Sequence, residues 1–118
     1  MQNIDLICIG KMNAKYFAEG VAEYQKRLAA FAAFRIIELP EEKIEEKNAS
    51  DAVVKKALEK DVAFVIGSSH GLSDEVKKAA ALRFSMGRIT MPHQLARLVL
   101  TEQIYRACTI NAGMKYHK

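Results

Sequence analysis

The sequence predicts an α/β domain in which a single small parallel sheet is layered by helices. Short apolar segments alternate along the chain with segments of helical periodicity, and this alternation builds parallel strands joined by right-handed crossovers. The chain has 118 residues, 50% of them hydrophobic, a length and composition at which one domain with one core is usual. We therefore treat residues 1–118 as one domain.

The first half of the chain predicts two strands and two helices. Residues 4–9 form a β-branched run closed by Gly10, which is typical of a mostly buried strand. Asn13 offers an N-cap to a helix whose apolar residues recur at steps of three and four, namely Phe17, Val21, Tyr24, Leu28 and Phe31. A second strand, 34–39, is stopped by Pro40; the charged run 41–48 predicts a loop, and Ser50 caps a short helix over 53–58.

The second half of the chain predicts two more strands and two more helices. Val62–Ile66 is a continuous apolar run followed by Gly67, which favours a strand buried on both faces. Ser73, with two acidic residues after it, begins the next helix. A brief strand is predicted at 89–91, and a last helix over about 94–108 leaves a tail. Because four strands leave sheet edges and faces exposed, we expect a homodimer.

The composition also excludes several classes of protein. The longest apolar runs have about five residues, whereas a membrane helix needs about 20, so no membrane span is expected. The N-terminal residues lack the basic flank and apolar stretch of a secretory signal, and we expect a cytoplasmic protein. Cys8 and Cys108 each lie in an apolar segment without metal-ligand spacing, which favours two reduced core thiols and no metal site.

The positive charge of the chain is concentrated towards its C-terminus. The net charge is +4, and residues 1–60 balance ten basic against ten acidic side chains. Residues 83–118 contain six basic side chains, one acidic side chain, and two histidines. Such a distribution is expected where a polyanion binds, although on charge alone a solubilising basic surface is the simpler interpretation.

The loop after the third predicted strand is one candidate binding site. Ligands of parallel sheets bind beyond the carboxyl ends of the strands, and the segments that begin at Gly10, Gly67 and Pro92 occupy such positions. The run Gly67-Ser68-Ser69-His70-Gly71 could bring backbone groups close to an adenine, a carboxylate or a phosphate. It matches neither a P-loop nor a dinucleotide fingerprint, and an ordinary strand-to-helix turn would look similar.

The last predicted helix and the tail form the second candidate site. Glu102 and Arg106 fall on the helical stripe of Leu95, Leu98 and Val99 and can pair with each other, while Arg97, Thr101 and Tyr105 line an adjacent face. The pair is either a structural ion pair at a dimer interface or the border of a polar cleft there. The tail 114–118 adds two lysines, Tyr116 and His117, which suit phosphate contacts, base stacking and proton transfer on RNA.

A larger ordered set of residues resembles one known family. In the C-terminal half the set is Ile66-Gly67, His70-Gly71-Leu72, Phe84-Ser85, Thr90-Met91-Pro92-His93-Gln94, Arg97, Glu102-Gln103-Ile104-Tyr105-Arg106-Ala107 and Tyr116-His117-Lys118. In the N-terminal half it is Gly10-Lys11, Ala22-Glu23-Tyr24, Lys26-Arg27-Leu28 and Ile37-Glu38-Leu39-Pro40. This set is similar to the bacterial ribosomal RNA large subunit methyltransferase H family of the SPOUT class, and it covers both ends of the chain.

The resemblance implies a homodimeric enzyme with a trefoil knot. Such an enzyme uses S-adenosylmethionine to methylate N3 of a pseudouridine in a large-subunit ribosomal RNA hairpin of the assembled ribosome, without a metal. The resemblance places the methyl donor against Gly67, Ser68, Met86, Gly87, Arg88, Ile89, Thr90 and Met91. It places the catalytic side of the site at Glu102, Arg106, Tyr116 and His117, where His117 is a candidate for the group that takes the imide proton.

The chain departs from the family pattern at two places. Typical members carry a further strand, a glycine-containing loop that touches the methyl donor, and a helix between the positions of Glu59 and Val62, where this chain has only Lys60 and Asp61. The missing loop would form one wall of the donor site, and its loss should shorten or abolish the knotted loop. Ser68 also replaces a usual glycine. These departures keep a second hypothesis open, a shortened homologue that folds, dimerises and binds RNA without turnover.

Overall fold

The computed structural model describes residues 2–40, 61–67, 74–83 and 85–117. In these residues a three-stranded parallel sheet consists of β1 (Gln2–Ile9), β2 (Ala32–Leu39) and β3 (Val62–Ile66) in the order β2-β1-β3. Three helices complete the described elements: α1 (Lys15–Leu28), α2 (Asp74–Ala79) and α3 (His93–Asn111). The predicted α/β class with a single parallel sheet is confirmed.

The sheet is centred on β1. In the register of the sheet, Leu6 of β1 lies opposite Ile36 of β2 and Phe64 of β3. β1 is buried from Ile4 to Cys8, whereas all five residues of β3 are only half-buried. The prediction that β3 is buried on both faces was therefore wrong. The physical reason is position: β1 has a strand on each side, and β3 pairs with β1 alone among the described strands.

The core has two parts because successive side chains of β1 point to opposite faces of the sheet. On one face Ile4, Leu6 and Cys8 pack with Leu28 of α1 and with Leu100, Ile104 and Tyr105 of α3. On the other face Ile7 packs with Val76 of α2. The sheet thus lies between α1 and α3 on one side and α2 on the other, and this layering brings α3 onto the sheet.

The helices begin and end close to the predicted positions, with one correction at the start of α1. The N-cap of α1 is Ala14, not Asn13, and no side chain of the cap residue closes the helix. The substitute comes from α3, because Gln94 Oε1 accepts hydrogen bonds from the backbone N–H of Asn13 (3.0 Å) and of Ala14 (2.9 Å). The local sequence could not predict that Gln94 caps this helix, because Gln94 lies about eighty positions away in sequence.

The predicted strand at 89–91 is also wrong. Residues 85–91 form an irregular segment in which Gly87 has a φ of +102° and Ser85 Oγ donates a hydrogen bond to the Gly87 carbonyl (2.8 Å). Ile89 is 81% exposed, so its apolar side chain finds no sheet to join. The segment instead leads into Pro92, the N-cap of α3.

Several predictions fall on residues outside the described ranges. These are the loop at 41–48, the helix at 53–58 with its cap Ser50, the binding loop from Ser68 to Gly71, and Ser73. The knot stays a prediction for the same reason. Cys8 and Cys108 are both free, and burial raises the pKa of the Cys8 thiol to about 11. No helix in the described ranges is long and apolar enough to cross a membrane.

Candidate active site

A buried arginine of α3 fixes the helix to the carboxyl edge of the sheet. Arg97 Nη1 donates to Glu38 Oε2 at the end of β2 (2.6 Å), and Arg97 Nη2 donates to the Gly10 carbonyl after β1 (3.2 Å). Gly10 has a φ of +92°, a conformation that glycine adopts without strain. Glu38 Oε2 also accepts the Met12 N–H (3.1 Å). Arg97 and Glu38 therefore hold the ends of two strands against one turn of α3.

A second arginine lies further along α3 and faces the tail. Arg106 donates from Nε to Glu102 Oε1 (2.9 Å), and Nη2 of the same guanidinium contacts the same oxygen. The Arg106 Nη1 group lies 3.0 Å from His117 Nδ1. The predicted i,i+4 pair is present within one helix, and it connects the helix to the folded-back tail.

Tyr116 packs into the same cluster from the tail. Its ring lies edge-on to Tyr105 with centroids 4.7 Å apart, and Arg106 Cζ lies 5.5 Å from its centroid. Its hydroxyl is 3.3 Å from that of Tyr24 on α1 and donates to Glu102 Oε1 at 3.4 Å. The hydrogen bond with Tyr24, burial and the negative charge of Glu102 raise the pKa of Tyr116 to about 12. Tyr116 is therefore a neutral phenol at physiological pH.

We call Glu102, Arg106, Tyr116 and His117 the tail cluster. The structure brings these four candidate residues together at one end of α3, with Arg106 half-buried, Glu102 less exposed, and His117 exposed. The burial of the two faces of α3 differs from the prediction, because the apolar stripe is the less buried of the two. Leu95, Leu98 and Val99 are half-buried, while Arg97, Thr101 and Tyr105, expected to line an adjacent face, are buried.

The candidate methyl-donor residues lie in two described segments, at Gly67 and at 86–91, and Ser68 lies outside the described residues. Gly67 follows β3 at the carboxyl edge and is half-buried. Met86 packs against the core, Met91 is half-buried, and Gly87, Arg88, Ile89 and Thr90 are exposed. Within the described parts of the chain, the backbone groups of 88–90 form no hydrogen bond.

Comparison with known proteins connects this geometry to a family. A family model described as "Predicted SPOUT methyltransferase" matches residues 2–60 and 52–117. Proteins named ribosomal RNA large subunit methyltransferase H are also similar to the chain over 98% of its length and 99% of theirs. They include those of Lactiplantibacillus plantarum at 42% identity and of Lactobacillus delbrueckii subsp. bulgaricus and Streptococcus uberis at 40%. The chain belongs to the ribosomal RNA large subunit methyltransferase H family.

The comparisons also locate the missing segment of this family member. The alignments span 158 positions, whereas the chain has 118 residues, so at least 40 positions of the relatives have no residue here. The two matches to the family model meet at 52–60. The predicted absence of an internal segment is therefore confirmed, and the overlap at 52–60 lies beside the predicted position at Lys60 and Asp61.

Two parts of the methyltransferase motifs have an architectural role in this structure. Gln94 and Arg97 both belong to the set of residues that resembles the family, and they hold the entry of α1 and the ends of β1 and β2. Sequence reasoning missed Tyr24 and Glu38 as partners of the site. The available signal was weak: both lie in segments that resemble the family, but their contacts join elements far apart in the chain.

Proposed function

We propose that this chain uses S-adenosylmethionine to methylate N3 of a pseudouridine in large-subunit ribosomal RNA, in the assembled ribosome and hence in the cytoplasm. One observation carries the proposal. The tail cluster brings two hydrogen-bond donors together at the surface, the half-buried Arg106 and the exposed His117, while Glu102 accepts from Arg106 and from Tyr116. Cationic and planar side chains are the groups that contact phosphates and unpaired bases.

The residues between Met86 and Met91 fit an adenosyl group. The backbone N–H and C=O groups of 88–90 make no hydrogen bond within the described residues, so they can pair with the edge of an adenine. The exposed side chain of Ile89 and the half-buried side chains of Met86 and Met91 supply apolar contact. Gly67, at the carboxyl edge of the sheet, lies where ligands of parallel sheets bind. When bound, S-adenosylmethionine supplies an electrophilic methyl group on a sulfonium.

The tail cluster suits a reaction at an imide nitrogen. N3 of the base lies between two carbonyl groups and becomes nucleophilic when it loses its proton, which places negative charge on the carbonyl oxygens. Arg106 keeps two N–H groups beyond those that contact Glu102 and His117. A cation with free donors stabilises such an anion, and aligned donors of this kind contribute about 10²-fold or more to a rate.

The homodimer belongs to the same proposal. Leu95 and Val99 remain half-buried on α3, and Ile110 further along that helix is 50% exposed. A helix that is apolar beyond the face it packs on the sheet needs a partner surface, and a second copy of the chain supplies one. The Glu102–Arg106 pair then lies beside that interface. In such a dimer the pair can act either as a structural ion pair of the interface or as the border of a polar cleft there.

The missing segment supports one alternative function. If the lost loop was necessary to hold the methyl donor, the chain folds and binds RNA without turnover. The two accounts differ in a measurable way, because the enzyme binds S-adenosylmethionine and the shortened binding protein does not.

The decisive experiment measures binding and turnover on the same preparation. Isothermal titration with S-adenosylmethionine and its demethylated product should show micromolar affinity. Labelled methyl groups should enter the large-subunit RNA of ribosomes that lack this modification, and primer extension should stop at the product because N3 lies on the pairing edge. Absence of heat at millimolar ligand, together with unmodified RNA, would overturn the proposal and support the binding-only alternative.

A further inference from the structure

The donors and acceptors of the tail cluster limit how its hydrogens are arranged. A guanidinium has only donors, and a carboxylate has only acceptors. The contact between Arg106 Nη1 and His117 Nδ1 (3.0 Å) therefore has one direction. Arg106 donates, and Nδ1 of His117 accepts.

This direction fixes the tautomer of His117. An imidazole nitrogen that accepts a hydrogen bond carries no proton, so the neutral ring carries its proton on Nε2. Within the described residues Nε2 has no hydrogen-bond partner, and the His117 side chain is exposed. The ring therefore presents an N–H group, not a lone pair, to whatever binds over the cluster.

The acceptor atoms of Glu102 and Tyr116 in the tail cluster already receive hydrogen bonds from neighbouring side chains. Glu102 Oε1 receives Arg106 and the Tyr116 hydroxyl, and its Oε2 accepts from Gln103 Nε2 (2.9 Å). Tyr116 shares its hydroxyl with Tyr24 and Glu102. The N–H groups of the cluster that have no partner among the described residues are Nε2–H of His117 and two N–H groups of Arg106.

We propose that His117 acts as a hydrogen-bond donor through Nε2–H, held in that tautomer by Arg106, and that it binds a carbonyl oxygen next to the reacting nitrogen. In this role His117 does not remove the imide proton, which passes to solvent. The proposal rests on the proposed function for the identity of the carbonyl, and on the geometry of the cluster for the tautomer. It replaces the expectation that His117 is a candidate base.

The tautomer can be measured without any substrate. Long-range ¹H–¹⁵N correlation spectra of the full chain report which nitrogen of each of its three histidines is protonated. The His117 signals are assigned by their loss in His117→Gln. The wild type should hold a smaller Nδ1–H fraction at His117 than Arg106→Ala, where the donor is absent. Equal fractions in the two proteins, or a ring mainly protonated at Nδ1 in the wild type, would overturn the proposal.

A pair of substitutions tests the role during methylation. Gln at position 117 retains an N–H donor of similar reach but cannot act as a base, and Ala retains neither property. We expect His117→Gln to stay within about tenfold of the wild-type rate, and His117→Ala to fall by about 10²-fold. Equal loss in both variants contradicts the donor role. If the wild type itself does not methylate RNA, the proposed function fails, and the spectra still decide the tautomer.

Discussion

Helix α3 carries two arginine–glutamate pairs that share their chemistry and differ in their surroundings. Arg97 reaches out of the helix to Glu38 on β2, and its side chain is 4% exposed. Arg106 pairs with Glu102 in its own helix and is 35% exposed. The first pair joins α3 to the carboxyl edge of the sheet, and the second joins α3 to the C-terminal tail.

The difference shows how burial decides what an ion pair does. A charge removed from water must be compensated by its partners, so loss of one partner is expensive. A charge that remains near water is screened, and its pairing adds little to stability. We therefore expect the Arg97 pair to support the fold and the Arg106 pair to serve the surface that we propose binds RNA.

The largest expected effect follows from removal of Glu38. Glu38→Ala leaves the buried Arg97 guanidinium with only the Gly10 carbonyl and frees the Met12 N–H. Uncompensated buried charges destabilise folded proteins by about 3 kcal/mol or more. Urea unfolding followed by circular dichroism should show this loss in the free energy of unfolding.

Glu23→Ala is the matched control for this prediction. Glu23 also pairs with an arginine, and its side chain is 55% exposed against 40% for Glu38. Its partner Arg27, however, is 42% exposed, so little should change. Equal effects of the two substitutions would mean that burial of the arginine does not distinguish the pairs.

The second expected effect concerns activity instead of stability. Arg106→Ala removes the guanidinium from the exposed cluster and leaves His117 and Glu102 without their common partner. Methylation should fall by about 10²-fold, while the unfolding transition and the proposed dimer, measured by light scattering, stay unchanged. Arg83→Ala, another C-terminal cation, controls for loss of net charge and should act much more weakly. If Arg106→Ala dissociates the dimer, the pair is structural after all.

The sequence predicted the parts of the fold that depend on local pattern. β1, β2, β3, α1 and α3 were identified from β-branched runs and helical periodicity, and their bounds differ from the structure by a few residues. The central position of β1 could not be derived, because sheet order depends on contacts between distant segments. The segment 89–91 looked like a strand for the same reason: three apolar or β-branched residues say nothing about whether an edge is available to pair with.

In the candidate site too, the sequence predicted local contacts but not contacts between distant elements. The spacing of Glu102 and Arg106 was readable because residues four apart on a helix are neighbours. The contacts of Tyr116 with Tyr24, and of Arg97 with Glu38, each join elements that meet only after folding. Sequence therefore identified the residues of the tail cluster but not the partners that hold them.

The smallest expected effect tests how rigidly α1 packs against α3, the helix that carries both arginine–glutamate pairs. Gly20 of α1 faces Leu98 of α3, and a Cβ added there would lie 2.9 Å from Leu98 Cδ1. The atom it meets is the end of a flexible side chain, which can rotate away. Replacement of a helical glycine by alanine also gains about 1 kcal/mol of helix propensity. The two effects oppose each other, so Gly20→Ala should change the free energy of unfolding by less than about 1 kcal/mol.

The Leu98→Ala background separates the two contributions to this prediction. Without the leucine the contact is absent, and Gly20→Ala should show its full gain of about 1 kcal/mol. A loss above about 2 kcal/mol in the wild-type background would exceed what rotation of one leucine costs. Such a loss would mean that α1 and α3 are packed rigidly at this contact. The tail cluster and the sheet edge would then move together, and the Arg97–Glu38 and Arg106–Glu102 pairs would not be independent.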